Sequence, residues 1–199
     1  MKKTLVAAAL AAATAPSAWS AEIVLFDNLQ NGYENWGWSI DFTQSVANPF
    51  SSTVDGTLSE VRVALSPLST LLQPTFYQVS ITDALGGLPG PNTLYQWDNV
   101  QGAGLNVLTF ASDVPVVAGG SYFVKVAPAN RAMQGGWRWN LAGDSGPFAF
   151  TFGGTWHPFS DVRGAMTVKA TTDDGVPAVP GPAAAIPFAL GLLARRRRR

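Results

Sequence analysis

From Trp36 to Ala170 the chain repeats one pattern: short runs in which apolar and polar side chains alternate, each closed by glycine, proline or a small polar residue. A period of two puts successive side chains on opposite faces of an extended strand, whereas a helix needs a period near 3.6. Trp36, Trp38, Ile40 and Phe42 alternate with Gly37, Ser39, Asp41 and Thr43. Val61, Val63 and Leu65 form a second run, Tyr77, Val79 and Ile81 a third, and Tyr122, Val124 and Val126 a fourth. Trp137, Trp139 and Leu141 follow, then Phe148, Phe150 and Phe152, and finally Met166, Val168 and Ala170. Residues 105–110 are more uniformly apolar. Asn48-Pro49, Asp55-Gly56, Gly86-Gly87, Gly119-Gly120, Gly135-Gly136, Asp144 to Pro147 and Gly153-Gly154 read as the turns between them. The pattern predicts an all-β fold of eight or nine strands, an antiparallel β-sandwich of jelly-roll-like type. Residues 67–74 read as a short helical turn or a loop.

Both ends break the pattern. Lys2 and Lys3 precede an apolar, alanine-rich stretch over residues 4–15, then Pro16 and Ala18-Trp19-Ser20. This is the layout of a secretory signal peptide, with cleavage expected between Ser20 and Ala21. The apolar run is shorter than the ~20 residues a spanning helix needs. At the other end, residues 171–182 read as an acidic, proline-rich linker. An uncharged apolar segment over residues 183–194 follows, and Arg195, Arg196, Arg197, Arg198 and Arg199 end the chain. The expected layout is a signal peptide at 1–20, a β domain at 21–170, the linker at 171–182, and at 183–199 a C-terminal hydrophobic helix with its arginine stop.

The formal net charge of zero hides an asymmetry. All 13 acidic residues lie between the two end segments, with only Arg62, Lys125, Arg131, Arg138, Arg163 and Lys169 to balance them. The chain between the two end segments, domain and linker together, therefore carries a net charge near −7, which repels phosphate backbones and argues against nucleic acid as a partner. The chain has no cysteine, so an exported domain must hold together without disulfides.

Catalytic motifs are sparse. The one histidine, His157, lies in Gly153-Gly-Thr-Trp-His-Pro158, which reads as an exposed loop, and there is no Gly-x-Ser-x-Gly elbow. One histidine without cysteine does not make a structural zinc site, and no metal ligands are assigned. Calcium is the one candidate cofactor, with oxygen donors at Asp27, Asn28, Asp98, Asn99, Asp144, Asp173 and Asp174. A carboxylate-dependent hydrolase would draw on Glu22, Glu34 and Glu60 as its glutamates. Of the seven tryptophans, Trp36, Trp38, Trp137 and Trp139 have the spacing of core-facing strand residues. Trp97, with Tyr95 beside it, and Trp156 in the glycine-rich loop are the candidate glycan-stacking groups.

Val176, Pro177, Pro180, Gly181 and Pro182, the apolar segment and the five arginines together resemble a PEP-CTERM sorting signal, the C-terminal signal of exosortase substrates in Gram-negative bacteria. Pro180-Gly181-Pro182 stands where the family pattern has Pro-Glu-Pro. Phe26-Asp-Asn28, Gly86-Gly-Leu-Pro-Gly90, Ala118-Gly-Gly-Ser-Tyr122 and Gly136-Trp-Arg-Trp139 resemble fragments of the choice-of-anchor ectodomains that such signals accompany. The resemblance implies export by the Sec translocase and transient anchoring in the inner membrane. Cleavage by an exosortase-type membrane protease would then deliver the domain to the cell surface or extracellular matrix. The expected role is structural or adhesive and non-enzymatic, with extracellular polysaccharide as a partner. The alternative is a small secreted glycan hydrolase.

Overall fold

The computed structural model describes residues 20–67, 74–130 and 135–172. The signal-peptide residues before Ser20, residues 68–73 of the stretch that reads as a helical turn or a loop, Arg131, Asp173, Asp174 and the entire sorting segment lie outside the described residues.

The described chain is all-β, with every pairing between its strands antiparallel. In chain order the strands are β1 (Ala21–Asp27), β2 (Tyr33–Ile40), β3 (Val46–Ser51), β4 (Gly56–Pro67), β5 (Phe76–Leu85), β6 (Leu88–Gln101), β7 (Gly104–Thr109), β8 (Pro115–Val116), β9 (Ser121–Pro128), β10 (Gly135–Asn140), β11 (Ser145–Phe152), β12 (Thr155–Val162) and β13 (Met166–Thr172). One sheet runs β1-β13-β4-β10-β2, with β7 and β8 on the other edge of β4. The second runs β12-β11-β3-β9-β5-β6.

Alternation within the strands builds the core between the sheets. Val61, Val63 and Leu65 of β4, Val168 of β13 and Trp137 of β10 come from the first sheet. Val79 and Ile81 of β5, Val124 and Val126 of β9 and Phe148 of β11 come from the second, and all belong to one buried cluster. Each such buried side chain contributes about 1.5–3 kcal/mol relative to exposure. There are no cysteines, so this burial carries the fold.

Two turns follow directly from local sequence. Gly86 and Gly87 have φ of 61° and 80°, and Gly153 and Gly154 have 62° and 85°. Leu85 pairs with Leu88, and Phe152 with Thr155, so each Gly-Gly pair is a two-residue hairpin loop. Only residues tolerant of positive φ at both positions make that turn with the twist the strands require.

Several expectations give way to the tertiary structure. Asn48-Pro49 is not a turn but the middle of β3. Pairing of β3 with β11 ends at Ala47, so the missing N–H of Pro49 costs no ladder bond on that side. Trp36 leaves the core face and is 75% exposed, while Trp38 stays half-buried. Between Arg138 and Asn140, two steps along β10 span four along β2, from Gly37 to Tyr33. The bulge at residues 34–36 turns the Trp36 ring to solvent. Phe42 also leaves the predicted strand and lies exposed in the turn after β2. β13 continues past residue 170, because Thr171 pairs with Glu22 and Thr57, and Thr172 pairs with Ala21. The chain thus enters and leaves the folded domain at adjacent backbone positions.

Candidate functional site

The second sheet buries apolar side chains on both faces. Its inner face joins the core; its outer face carries buried Ala47, Phe123 and Ala149, flanked by Ala84, Leu88 and Trp156. A cavity of about 420 Å³ opens at one end of this outer face, lined by Phe42, Thr43, Ser45, Lys125, Thr151, Gly153, Gly154 and Trp156.

Local chemistry sets each wall. Asp41 Oδ1 accepts hydrogen bonds from the Thr43 N–H at 2.8 Å, the Thr43 hydroxyl at 2.7 Å and the Gln44 N–H at 3.0 Å, which clamps the turn that presents Phe42. The Ser45 N–H donates to Thr151 Oγ1 at 2.7 Å, and the Thr151 N–H returns a bond to the Ser45 carbonyl at 2.9 Å. Trp156 sits opposite Thr151 on β12. It is therefore a half-buried strand residue and not part of a glycine-rich loop, because the strand resumes at Thr155 straight after the Gly-Gly turn. Lys125 is on central strand β9, between Ala47 of β3 and Ser80 of β5. Desolvation alone pushes the Lys125 ammonium below its ordinary range. Among the described residues it makes no ion pair, whereas Arg62, Arg163 and Lys169 each bond a carboxylate.

Tyr95 and Trp97 belong elsewhere. They lie on β6 opposite Ile81 and Val79, on the inner face of the same sheet, and pack against the core. With Phe110 they form a three-ring cluster whose centroids are 4.8 to 5.0 Å apart. The Trp97 indole N–H donates to the Thr109 carbonyl at 2.8 Å, and the Tyr95 hydroxyl accepts from the Ala111 N–H at 2.9 Å. Their polar ends therefore close the edge of the core. Asn99, at φ 57°, makes the bulge that brings both Trp97 and Val100 to that face. His157 is exposed on β12, with its ring 5.8 Å from that of Phe150.

The oxygen donors considered for calcium separate. Asn28 and Asp144 meet, but in a buried structural network. The Asn28 amide donates to Asp144 Oδ2 and to the Gly164 carbonyl, both at 3.2 Å, and its oxygen accepts the Met166 N–H at 2.7 Å. Arg163 donates to Asp144 Oδ1 at 2.7 Å while its guanidinium lies 4.8 Å from the Phe26 ring centre. Asn48 adds a second bond to the Gly164 carbonyl at 3.1 Å. These bonds tie the segment entering β13 to strands of both sheets. Asp27 is occupied by the Leu29 N–H and the Thr167 hydroxyl, and Asp98 by the Gln78 and Gln96 amides. Among the described residues no three acidic or histidine side chains gather as a metal cluster.

Glu22 and Glu60 are drawn together by Lys169, at 2.9 and 3.2 Å, which puts them within about 6 Å of each other, near the spacing of a retaining carboxylate pair. The hydrogen bond from Arg62 is the main cause that holds the Glu60 carboxyl below its ordinary range, opposite to what a general acid requires.

The sequence reading missed Phe42, Thr43, Ser45, Lys125 and Thr151 as members of one site. A signal was present for Lys125: it is the only charge in the otherwise apolar run Tyr122-Phe-Val-Lys-Val126. Comparison with protein-family models, curated proteins and solved structures finds no match.

Proposed function

We propose that this chain is an exported, exosortase-sorted protein of the cell surface or extracellular matrix. Its jelly-roll-like β-sandwich would bind glycan in the cavity that holds Trp156. The observation that carries the binding role is that cavity: an aromatic ring and a hydroxyl-rich wall of Thr43, Ser45 and Thr151 face one space of about 420 Å³. Aromatic faces match the C–H faces of sugar rings, and hydroxyls match their O–H groups, so a few polar groups on an apolar wall form a ligand site. The sorting role draws its support from the signal-peptide pattern, the proline-rich hinge and the arginine-ended tail. It is also consistent with β1 beginning at Ala21, since cleavage after Ser20 leaves that strand whole.

Titration with a polysaccharide panel, read by tryptophan fluorescence, tests the binding role. The wild-type emission should shift with at least one polymer, and Trp156→Ala should abolish the response. A flat response across the panel would remove the glycan role.

A further inference from the structure

We propose that the Trp156 cavity recognises an acidic sugar, with the Lys125 ammonium bonding its carboxylate and the Trp156 ring lying along its apolar face. This rests on the glycan-binding reading above and names its ligand class.

Three observations on one sheet face carry it. Lys125 lines the cavity, is partly withdrawn from water, and lacks a carboxylate among the described residues. A partly buried charge without a counter-ion is costly, and a bound anion offsets that cost. Ser80 stands directly across from Lys125 on β5, and Thr82 is two residues further along on the same face. These side chains are 0% and 2% exposed, and neither hydroxyl has a hydrogen-bond partner among the described residues. Neither residue lines the cavity; they are unsatisfied buried polar groups on the same sheet face, an uncommon state in a folded protein. Thr43, Ser45, Thr151 and Trp156 supply the remaining wall.

The charge balance favours a carboxylate. One ammonium neutralises one negative charge, whereas a phosphate monoester carries nearly two. The surplus would sit in a domain that is already net negative, near −5 over residues 21–170. That net charge also disfavours long-range capture of a polyanion. At physiological salt, screening confines it to about 8 Å, and recognition becomes a contact event at Lys125.

The test compares polygalacturonate with its fully methyl-esterified form, which keeps the backbone and removes the charge. Calorimetric titration of the full chain at physiological salt should show roughly tenfold tighter binding of the acid form, the ratio expected for one charge-assisted hydrogen bond. Lys125→Met should erase the preference for the acid form, and Lys125→Arg should restore it. Trp156→Ala should weaken both polymers alike. Equal affinity for the two polymers overturns the acidic-sugar assignment while leaving glycan binding in place. A preference that survives Lys125→Met, with the variant folded by circular dichroism, overturns the role of Lys125. Loss of binding to both polymers in the wild type overturns this assignment, and the broader panel then decides the glycan role separately.

Discussion

Replacing Asn28 with Asp is nearly isosteric, so it opens no cavity and isolates the electrostatics of the network around β13. Asn28 is 4% exposed. Its amide nitrogen donates to Asp144 Oδ2 and to the Gly164 carbonyl, both at 3.2 Å. A carboxylate in its place turns two donors into acceptors facing acceptors. The two lost bonds cost about 1 kcal/mol each. Repulsion from the Asp144 carboxylate at this distance adds about 5 kcal/mol at an effective dielectric of 20, before relief from Arg163. Protonation caps that repulsion: binding a proton at pH 7 to a carboxyl of ordinary pKa near 3.9 costs about 4 kcal/mol. The expected loss at neutral pH is therefore about 3–5 kcal/mol, read as a drop in the urea midpoint at unchanged slope. The introduced carboxyl titrates at a higher pH in the folded state than in the unfolded one. Between those two values the folded state binds more protons, so stability falls as pH rises. Asn28→Asp should recover part of its deficit between pH 7 and pH 4. An unchanged midpoint at pH 7, or a deficit that grows on acidification, would refute the assignment of the amide as a donor to Asp144.

Tyr77 is buried, its hydroxyl donates to the Ser66 carbonyl and accepts the Gly136 N–H at 2.7 Å, and burial pushes its pKa well above the ordinary value. Tyr77→Phe should orphan both backbone groups and cost about 2–4 kcal/mol in urea unfolding; a loss under about 0.5 kcal/mol would mean that the hydroxyl does not bridge β4 and β10. Lys125 has a lowered folded pKa, so between that value and 10.5 the folded state binds fewer protons and wild-type stability rises with pH. Lys125→Met should consequently stabilise the protein at neutral pH, by about 1 kcal/mol or less after allowance for its partial exposure. The gain should fade toward pH 10.5, and a gain independent of pH would exclude desolvation as its cause.

The strands of the core were legible because their signal is local. Val61-Val63-Leu65, Tyr77-Val79-Ile81 and Met166-Val168-Ala170 alternate by themselves, and Gly86-Gly87 and Gly153-Gly154 announce their hairpins through the positive φ only such residues readily accept. The strands around the candidate site were harder to read. Asn48-Pro49 resembles a turn in isolation, and only the end of the β11 pairing at Ala47 shows why a proline sits inside β3. Trp36 and Trp38 have identical spacing to Trp137 and Trp139, yet the bulge opposite Arg138 and Asn140 sends Trp36 to solvent.

The candidate aromatics divide in the same way. Trp97, Tyr95 and Trp156 stand out as aromatics outside the alternating runs, and that local context cannot say that the first two close the inner face while Trp156 lines a cavity on the outer one. By itself, the sequence determined the all-β class, the Gly86-Gly87 and Gly153-Gly154 hairpins and the core runs, because alternation and backbone tolerance are properties of neighbouring residues; Gly135-Gly136, read as a turn, instead opens strand β10 and pairs with β2 and β4. The tertiary structure alone decided which side chains share a face, which charge has no ion-pair partner among the described residues and where Phe42, Lys125 and Trp156 meet. Those are set by pairing, register and bulges between strands distant in the chain.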